Sequence, residues 1–298
     1  MIASTYHSVT TQSSRLALAA WLAVATGPVV AQEAPVPAPA RTQVTTLPFV
    51  PLYWDRANRP QKPVSEVTTI RFLTSGDFPP LSFLDGSGRL MGYQVDLARA
   101  ICDELNANCS IQMRPFDDLV GALGDKRGDA VIAGLAVGAE LRDRLETSDA
   151  YLALPGRFVT RRDVGLEPTP EALAGKWVSV VSGSAHEAYL LDHFPGVRVA
   201  AHPDATAARD ALRDGRVEAH FGDAMSLSYW IDGTASRGCC DFRGGPWLES
   251  AYFGEGMRIA VAKGNTRLRQ NLDHALRKLA VEGRLGELYL RWFPRGYY

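Results

Sequence analysis

The stretch "GYQVDLARAICDELNANCSIQMRP", residues 92–115, indicates the fold because a helix pattern is followed within it by a strand pattern. Apolar residues recur at helical spacing over 92–105, and 110–115 is a short run of strand character. Another strand pattern, "IRFLTS", precedes this stretch at 70–75. A strand, a helix and a strand in this order predict a βαβ unit.

The alternation of strands and helices continues along the chain on both sides of residue 160. The sequence predicts further elements, namely a helix at 116–125, a strand at 129–137, a strand at 176–183, a helix at 185–194 and a strand at 197–201. "LDGSGR" at 84–89 predicts a hairpin turn, and residues 264–294 predict two helices separated by a glycine. We therefore predict an α/β protein with mainly parallel sheets flanked by helices.

An internal echo suggests that the alternation is built twice. "ALGDKRGDA" at 122–130 and "ALRDGRVEA" at 211–219 share Ala, Leu, Asp, Arg, an acid and Ala at the same offsets. One explanation is a common helix-to-strand turn, and the other is a pair of similar lobes, each with its own sheet. We expect two lobes, for which a chain of this length has room.

The N-terminal 31 residues differ from the rest of the chain. They contain one basic residue, Arg15, no acid, and an apolar run that ends in Val29-x-Ala31. This pattern predicts a cleaved signal peptide at 1–31, because the run is too short for a membrane span. We expect a linker and extended aromatic segment at 32–66. The predicted first lobe comprises 67–160 plus 250–298, and the second comprises 161–249.

Charge and cysteines constrain the environment. A formal net charge of -1 argues against a nucleic-acid partner, which calls for a basic face. Four cysteines suit an exported protein, so we expect a periplasmic location. A bridge between Cys102 and Cys109 would close a loop of about eight residues. The adjacent Cys239 and Cys240 are compatible with a vicinal disulfide, with free thiols or, more weakly, with metal binding.

Candidate ligand residues follow from the ends of the predicted strands. In open α/β sheets the ligand lies beyond the carboxyl ends of the strands. Those ends lie at 73–78, 134–138, 182–186 and 222–223, and they include Ser75, Gly134 and Ala136. The sequence has no G-x-S-x-G, P-loop or HExxH motif. We therefore expect a binding protein without a cofactor or a metal, and not an enzyme.

Several ordered motifs resemble one family of binding proteins. The motifs are "DFPPLSFLDGSGRLMGYQVDLARAI", "DAVIAGLAV", "SDAY", "GKWVSVVSGSAHEAYL", "ALRDGRVEAHFGD" and "GRLGELYLRWF". Between Thr69 and Pro294 the chain resembles the extracytoplasmic solute-binding proteins of ABC importers, in the polar amino acid branch. The Cys102–Cys109 spacing also matches a disulfide of that branch.

The resemblance implies a fold and a function. The fold is the two-lobed periplasmic binding protein type 2 fold, with a ligand cleft between lobes joined by two crossover segments near 160 and 248. The function is capture of a small polar solute, an amino acid or an amino-acid-like molecule, for an ABC permease in the inner membrane. We expect a monomer, as is usual in the family.

The family's ligand contacts carry over only in part. Phe78 and Phe116 fall where aromatic residues cover the ligand side chain. Ser184 falls at a helix start rich in N–H donors, and His186 lies two residues after it where a polar contact is common. Asp223 falls on the position that binds the α-ammonium.

The family's carboxylate clamp is where the match breaks. Ala136 replaces the usual Ser, Gly138 the usual Thr, and Leu141 the usual Arg, while Arg142 sits one residue later, about 100° around a helix. In one hypothesis the helix begins later and Arg142 reaches the ligand. In the other, Arg142 is a surface charge that pairs with Glu140 or Asp143, and the ligand is a less acidic solute.

Two other functions occur on similar folds. One is a periplasmic dehydratase, in which Asp223 or His186 would act as general acid or base. The other is an accessory protein of a quinoprotein dehydrogenase system, for which the aromatic stretch 49–54 would be a docking surface.

Overall fold

The computed structural model describes residues 66–135, 139–293 and 295–298, with the backbone alone at 139–140. The predicted signal peptide, the aromatic stretch 49–54 and nearly all of the predicted linker lie outside the described residues. So do Ala136 and Gly138.

The strands, in chain order, are β1 (Thr69–Thr74), β2 (Asp77–Phe78), β3 (Ser82–Leu84), β4 (Leu90–Met91), β5 (Asn108–Met113), β6 (Ala130–Val131), β7 (Leu145–Leu152), β8 (Gly156–Arg161), β9 (Trp177–Val181), β10 (Arg198–His202), β11 (Ala219–Asp223), β12 (Cys240–Trp247) and β13 (Met257–Ala262). The helices are α1 (Tyr93–Leu105), α2 (Leu119–Gly124), α3 (Ala139–Arg142), α4 (Pro170–Leu173), α5 (Ala185–His193), α6 (Ala205–Arg213), α7 (Ala224–Asp232), α8 (Ser250–Phe253), α9 (Thr266–Val281) and α10 (Arg284–Trp292).

Two five-stranded sheets form the framework of the described residues. The first has the order β5-β1-β6-β13-β7 and the second the order β10-β9-β11-β8-β12. In each sheet the first three strands are parallel and the last two run antiparallel to their neighbours. The expectation of mainly parallel sheets was therefore wrong in part, because the last two strands of each sheet pair antiparallel. One of these strands, β13 in the first sheet and β8 in the second, enters from the other half.

The internal echo corresponds to equivalent positions in the two sheets. The helix α2 feeds β6, the central strand of the first sheet, and α6 feeds β11, the central strand of the second. Ala130 and Ala219, which end the two matching stretches, are both fully buried. The echo thus comes from two similar halves, as the second explanation predicted.

Most predicted elements are present, with changes at their ends. Of the predicted strand at 129–137, the structure describes 129–135, and within these residues the strand is Ala130–Val131. The predicted helix at 116–125 begins as a 3-10 turn at Phe116–Asp118 before α2. The predicted hairpin is confirmed, since β3 pairs antiparallel with β4 around the Asp85 turn. Gly283, with φ 80, separates α9 from α10 as expected.

Each sheet is covered by apolar side chains on both faces. In the first sheet one face packs on α1, α9 and α10, and the other on α2. In the second sheet one face packs on α5 and the other on α6 and α7. The largest cluster also contains Ala224 and Met225 of α7, so it joins the two halves.

The chain crosses between the sheets twice in the described residues. It leaves β7 at Leu152 and enters β8 at Gly156, and it returns from β12 at Trp247 through α8 to β13. The predicted lobe boundary at residue 160 falls inside β8, a strand of the second sheet. The crossings near 154 and 248–256 are therefore the segments that join the two sheets.

Two disulfides are present. Cys102 and Cys109 join the last turn of α1 to β5, with their Cα atoms 6.1 Å apart. This agrees with the predicted bridge. Of the alternatives for Cys239 and Cys240, the structure has the vicinal disulfide, with the Cα atoms 3.7 Å apart.

A C-terminal strap, residues 295–298, contacts both halves. Tyr297 donates its N–H to the hydroxyl of Tyr289 in α10 (2.8 Å), and its carbonyl accepts from Nη1 of Arg157 in β8 (2.7 Å). The hydroxyl of Tyr298 exchanges two hydrogen bonds with the backbone of Ala153, at 2.9 and 2.7 Å. The strap therefore lies across the first crossing.

Candidate functional site

On the first sheet, three of the predicted contacts lie near one another. Ser75 follows β1 and Gly134 follows β6, which are neighbouring strands. Ser75 is 1% exposed, and its Oγ is buried without a hydrogen-bond partner. Gly134 has φ 67, which favours glycine, and a Cβ there would lie 3.2 Å from Cε1 of Phe78. The structure thus brings Phe78 against Gly134 at the carboxyl edge of this sheet.

A depression of about 1090 Å³ opens beside Gly134. Met257 of β13 lines it on one side, and Phe253 of α8 lines it on another. Because α8 packs against α5 of the second sheet, the depression lies where the two halves face each other. Charged side chains also line it, namely Arg142, Glu146, Glu255, Arg258, Lys263 and Arg269.

Arg142 ends the short helix α3 and lines the same depression as Gly134. Its side chain is exposed, and its carbonyl accepts a hydrogen bond from Nζ of Lys263 at 3.1 Å. The arginine that the first hypothesis needs is therefore present in the depression. Its role as a carboxylate clamp stays a prediction, and Ala136 lies outside the described residues.

Phe116 begins the 3-10 turn after β5, and 41% of its surface is exposed. Unlike Phe78, it is therefore largely open to solvent. Its part in covering a ligand stays a prediction.

On the second sheet, Ser184 is the N-cap of α5. Its Oγ accepts the N–H of Glu187 at 3.2 Å and donates to the carbonyl of Val181 at 2.7 Å. The carboxylate of Glu187 accepts the N–H of Gly183, the residue before the cap, at 2.7 Å. Because Ser184 uses its hydroxyl to start the helix, the donors that remain for a ligand are the first backbone N–H groups of α5.

His186 stands in an aromatic environment next to the depression. Its ring lies 5.2 Å from that of Phe253 and 5.5 Å from that of Phe221. Burial lowers the pKa of His186, and the nearby charge of Asp223 opposes that effect. His186 is therefore neutral at pH 7 and offers one ring nitrogen as a donor and one as an acceptor.

Asp223 ends β11 and is the N-cap of α7. Its Oδ1 accepts the N–H of Ser226 at 2.7 Å. It lies at the same edge of the sheet as Ser184, because the parallel strands β9 and β11 are neighbours that end there. This edge presents a half-buried carboxylate, which suits an ammonium group, beside the start of a helix, which suits an anion.

Two residues at this edge were not among the sequence predictions. Phe253 was missed because α8 lies in a crossing segment without a periodic pattern. Arg209 of α6 was not singled out either, although its place three residues before the buried Leu212 puts both on one face. Nη2 of Arg209 donates to Oγ of Ser226 at 2.8 Å.

The described residues contain no group of three or more His, Cys, Asp or Glu side chains arranged to hold a metal ion. Among the same residues, no helix combines the length and the apolar character of a membrane span.

Comparison with known proteins places this geometry in a context. The model of the family "Bacterial extracellular solute-binding proteins, family 3" matches residues 70–295. The chain is 31% identical over 227 residues to "Putative ABC transporter arginine-binding protein 2" of Escherichia coli (strain K12), covering 76% of this chain and 91% of that protein. It is 28% identical over 227 residues to "L-arginine-binding protein" of Pseudomonas aeruginosa, covering 75% of this chain and 87% of that protein.

A solved structure shows the same fold. The L-cystine solute receptor of Neisseria gonorrhoeae, in its unliganded open conformation, has a TM-score of 0.67 with 18% identity, covering 77% of this chain and 94% of that chain. The predicted two-lobed periplasmic binding protein type 2 fold is thereby confirmed.

Proposed function

This chain belongs to the bacterial extracellular solute-binding proteins, family 3, and on that premise we propose that it captures an amino acid for an ABC-type permease. The observation that carries the proposal is the edge of the second sheet, where Asp223 offers a carboxylate beside the start of α5. The carboxylate binds the α-ammonium of the ligand. The neutral ring of His186 and the aromatic ring of Phe78 contact its side chain.

The ligand class follows from the relatives. The two relatives above carry names that refer to arginine binding, and another protein of Escherichia coli that resembles this chain is named for lysine, arginine and ornithine. We therefore favour a cationic amino acid over the less acidic solute of the second hypothesis. The charges of the depression do not decide the class, because Glu146 pairs with Arg269 and Glu255 with Arg258.

The two lobes close around this ligand. Lobe 1 contains the first sheet and lobe 2 the second, and the crossings near 154 and 248–256 form the hinge. Closure requires only that the ligand binds the closed state more tightly than the open one.

Location and partners follow from the same proposal. The protein is exported by the signal peptide at 1–31, acts as a monomer in the periplasm and meets a permease in the inner membrane. It binds no nucleic acid and catalyses no reaction. The relatives are named as binding proteins, which favours transport over the dehydratase and accessory alternatives.

A thermal-shift screen of the mature chain against twenty amino acids, polyamines, sugars and aromatic acids tests the proposal. A ligand at one hundred times its Kd adds about 2.7 kcal/mol of stability. For a protein of this size we expect the Tm to rise by roughly 5–10 °C. We expect this rise with a cationic amino acid.

Asp223→Asn removes the negative charge of Asp223 but keeps a side chain that can cap α7, because asparagine also caps helices well. We expect the variant to fold and to lose the ligand-induced rise in Tm. Asp204→Asn is the matched control, since Asp204 caps the neighbouring helix α6 and accepts the N–H of Ala207 at 2.8 Å. A screen in which no amino acid raises the Tm would contradict the proposal.

A further inference from the structure

Arg209 is a half-buried arginine at the carboxyl edge of the second sheet. Its Nη2 donates to Oγ of Ser226, the third residue of α7. Its Nε is buried and has no hydrogen-bond partner among the residues that the structure describes. An arginine normally fills its donors when it leaves water, because a buried unsatisfied donor costs about 1–3 kcal/mol. Arg209 therefore holds donor capacity at this edge that the protein itself does not use.

Ser226 forms hydrogen bonds with both Arg209 and Asp223. Its N–H donates to Oδ1 of Asp223 at 2.7 Å, while its Oγ accepts from Arg209 at 2.8 Å. Within the described residues the guanidinium of Arg209 forms no ion pair, so Asp223 does not neutralise it by direct contact. Burial lowers the pKa of Arg209. The negative charge of Asp223 is close enough to oppose this effect in part.

This arrangement is complementary to a zwitterion. The α-ammonium and α-carboxylate of an amino acid are attached to one carbon, so their receptor needs an acceptor and a cationic donor within a few ångströms of each other. Asp223 and Arg209 stand on either side of Ser226 and supply this pair. On the first lobe, Leu141 stands where the family's clamp would be, and Arg142 is exposed.

We propose that Arg209 binds the α-carboxylate of the ligand whose α-ammonium binds Asp223, so that the second lobe alone holds both charged groups. The inference rests on the proposed function, and it names a residue that determines specificity. Its consequence is that the ligand must carry a carboxylate, although the first lobe has lost the usual clamp.

The test compares each amino acid with the amine that it forms on decarboxylation. Isothermal titration of the mature protein uses L-arginine with agmatine, L-lysine with cadaverine, and L-histidine with histamine. For the amino acid that binds, Arg209→Met should weaken its binding on the order of 10- to 100-fold. Binding of the matching amine, which lacks the carboxylate, should change less than about twofold.

Arg142→Met tests the competing assignment, because Arg142 is the other arginine that could bind the carboxylate. We expect it to leave the preference for the amino acid over its amine intact. If Arg142→Met removes that preference, Arg142 is the clamp and the inference fails. It also fails if Arg209→Met weakens amino acid and amine equally, since that result shows a structural role.

Arg209→Lys keeps the test decisive if Arg209→Met does not fold. Lysine retains the charge but loses the planar pair of donors that matches a carboxylate. We expect weaker binding of the amino acid with unchanged binding of the amine, and an unchanged amino acid affinity would overturn the inference. If wild-type protein binds none of the three amino acids, the cationic ligand class of the proposed function fails, which is a different result from failure of Arg209 alone.

Discussion

At the scale of single residues, His220 of β11 shows how burial fixes a protonation state. Its side chain is 2% exposed, and its Nδ1 lies 2.9 Å from the carbonyl oxygen of Ser179. Because a carbonyl only accepts, Nδ1 carries the proton and the ring is neutral. Burial, with a smaller contribution from the charge of Arg209, lowers the pKa of His220 to about 3.

This histidine should make the protein sensitive to mild acid. The unfolded chain binds a proton at His220 near pH 6.5 and the folded protein does not, so stability is lost as the pH falls below 6.5. Between pH 7.5 and pH 5 the loss due to His220 should be about 2 kcal/mol. Urea unfolding at both pH values should show that His220→Gln loses about 2 kcal/mol less than the wild type.

The exposed His193 of α5 supplies the control for that comparison. His193→Gln removes an exposed imidazole and leaves the buried ring of His220 in place, so the pH dependence attributed to His220 should remain. If His220→Gln keeps the wild-type difference between the two pH values, then His220 is not the group that titrates.

The sequence could predict a site residue only where the position of that residue at the end of a strand determines its place in the site. Ser184 and Asp223 follow parallel strands, so strand order alone places both at one edge of a sheet. Arg209 could not be found in this way, because its role depends on how α6 packs against the start of α7. The reach of Arg142 likewise depends on the position of α3, which a count along the sequence does not give.

At the scale of elements, the Cys102–Cys109 disulfide joins the end of α1 to the start of β5. Asn106 ends α1 in the left-handed region, with φ 54, and turns the chain back to the sheet. β5 is the edge strand of the first sheet and pairs only with β1. The bridge therefore holds an edge strand to a helix that packs in the main core.

Removing this bridge should lower stability by roughly 2–3 kcal/mol, the value for a closed loop of about eight residues. The double variant Cys102→Ala/Cys109→Ala is compared with the wild type by urea unfolding. The control is Asp103→Asn, a change at an exposed residue in the same helical turn. It should change the free energy of unfolding by less than about 0.5 kcal/mol. Equal stability of the double variant and the wild type would show that the turn at Asn106 suffices to hold β5.

The sequence predicted elements well where they are periodic and poorly where they cross between sheets. The pattern of residues 92–105 gave α1 to within a residue at its start, because a helix that buries one face needs that spacing. The strands β7, β8, β12 and β13 were not placed in their sheets, since their antiparallel pairing depends on partners more than 50 residues away. Local patterns carry no record of such pairings.

At the scale of the whole molecule, the two halves share one core and one strap. The largest apolar cluster includes Ala224 and Met225 of α7 together with residues of α1, α9 and α10. The strap adds polar links, because Arg295 bonds Asp232 at 2.7 Å and Asp241 at 2.9 Å on the second half. In the proposed closure, the lobes must therefore move about a region in which the shared core and the strap already join the two halves.

Arg157 is the central residue of these links. It is 6% exposed, it donates to the carbonyls of Tyr297 (2.7 Å) and Gly244 (3.0 Å), and its guanidinium lies 4.6 Å from the ring centre of Phe242. Burial lowers the pKa of Arg157 to about 10, so it stays charged at neutral pH. The charge is held by carbonyl dipoles and an aromatic face, both of which suit a guanidinium.

Arg157→Met should lower the free energy of unfolding by about 3 kcal/mol, because two hydrogen bonds from a charged donor are lost and buried carbonyls are left unpaired. It should also weaken the coupling of the lobes. Calorimetry of the wild type should give one transition whose calorimetric and van't Hoff enthalpies agree. In the variant we expect a broader transition, with a calorimetric enthalpy larger than the van't Hoff value.

Arg161→Met is the control for this experiment, because Arg161 lies on the same strand, β8, and its Nη1 contacts the carbonyl of Val217 within the second half. It should leave the ratio of the two enthalpies at the wild-type value. If Arg157→Met is less stable but still unfolds in one transition, the shared core around Ala224 and Met225 is enough to join the lobes. The strap would then act on stability alone, and the hinge would be free to move without it.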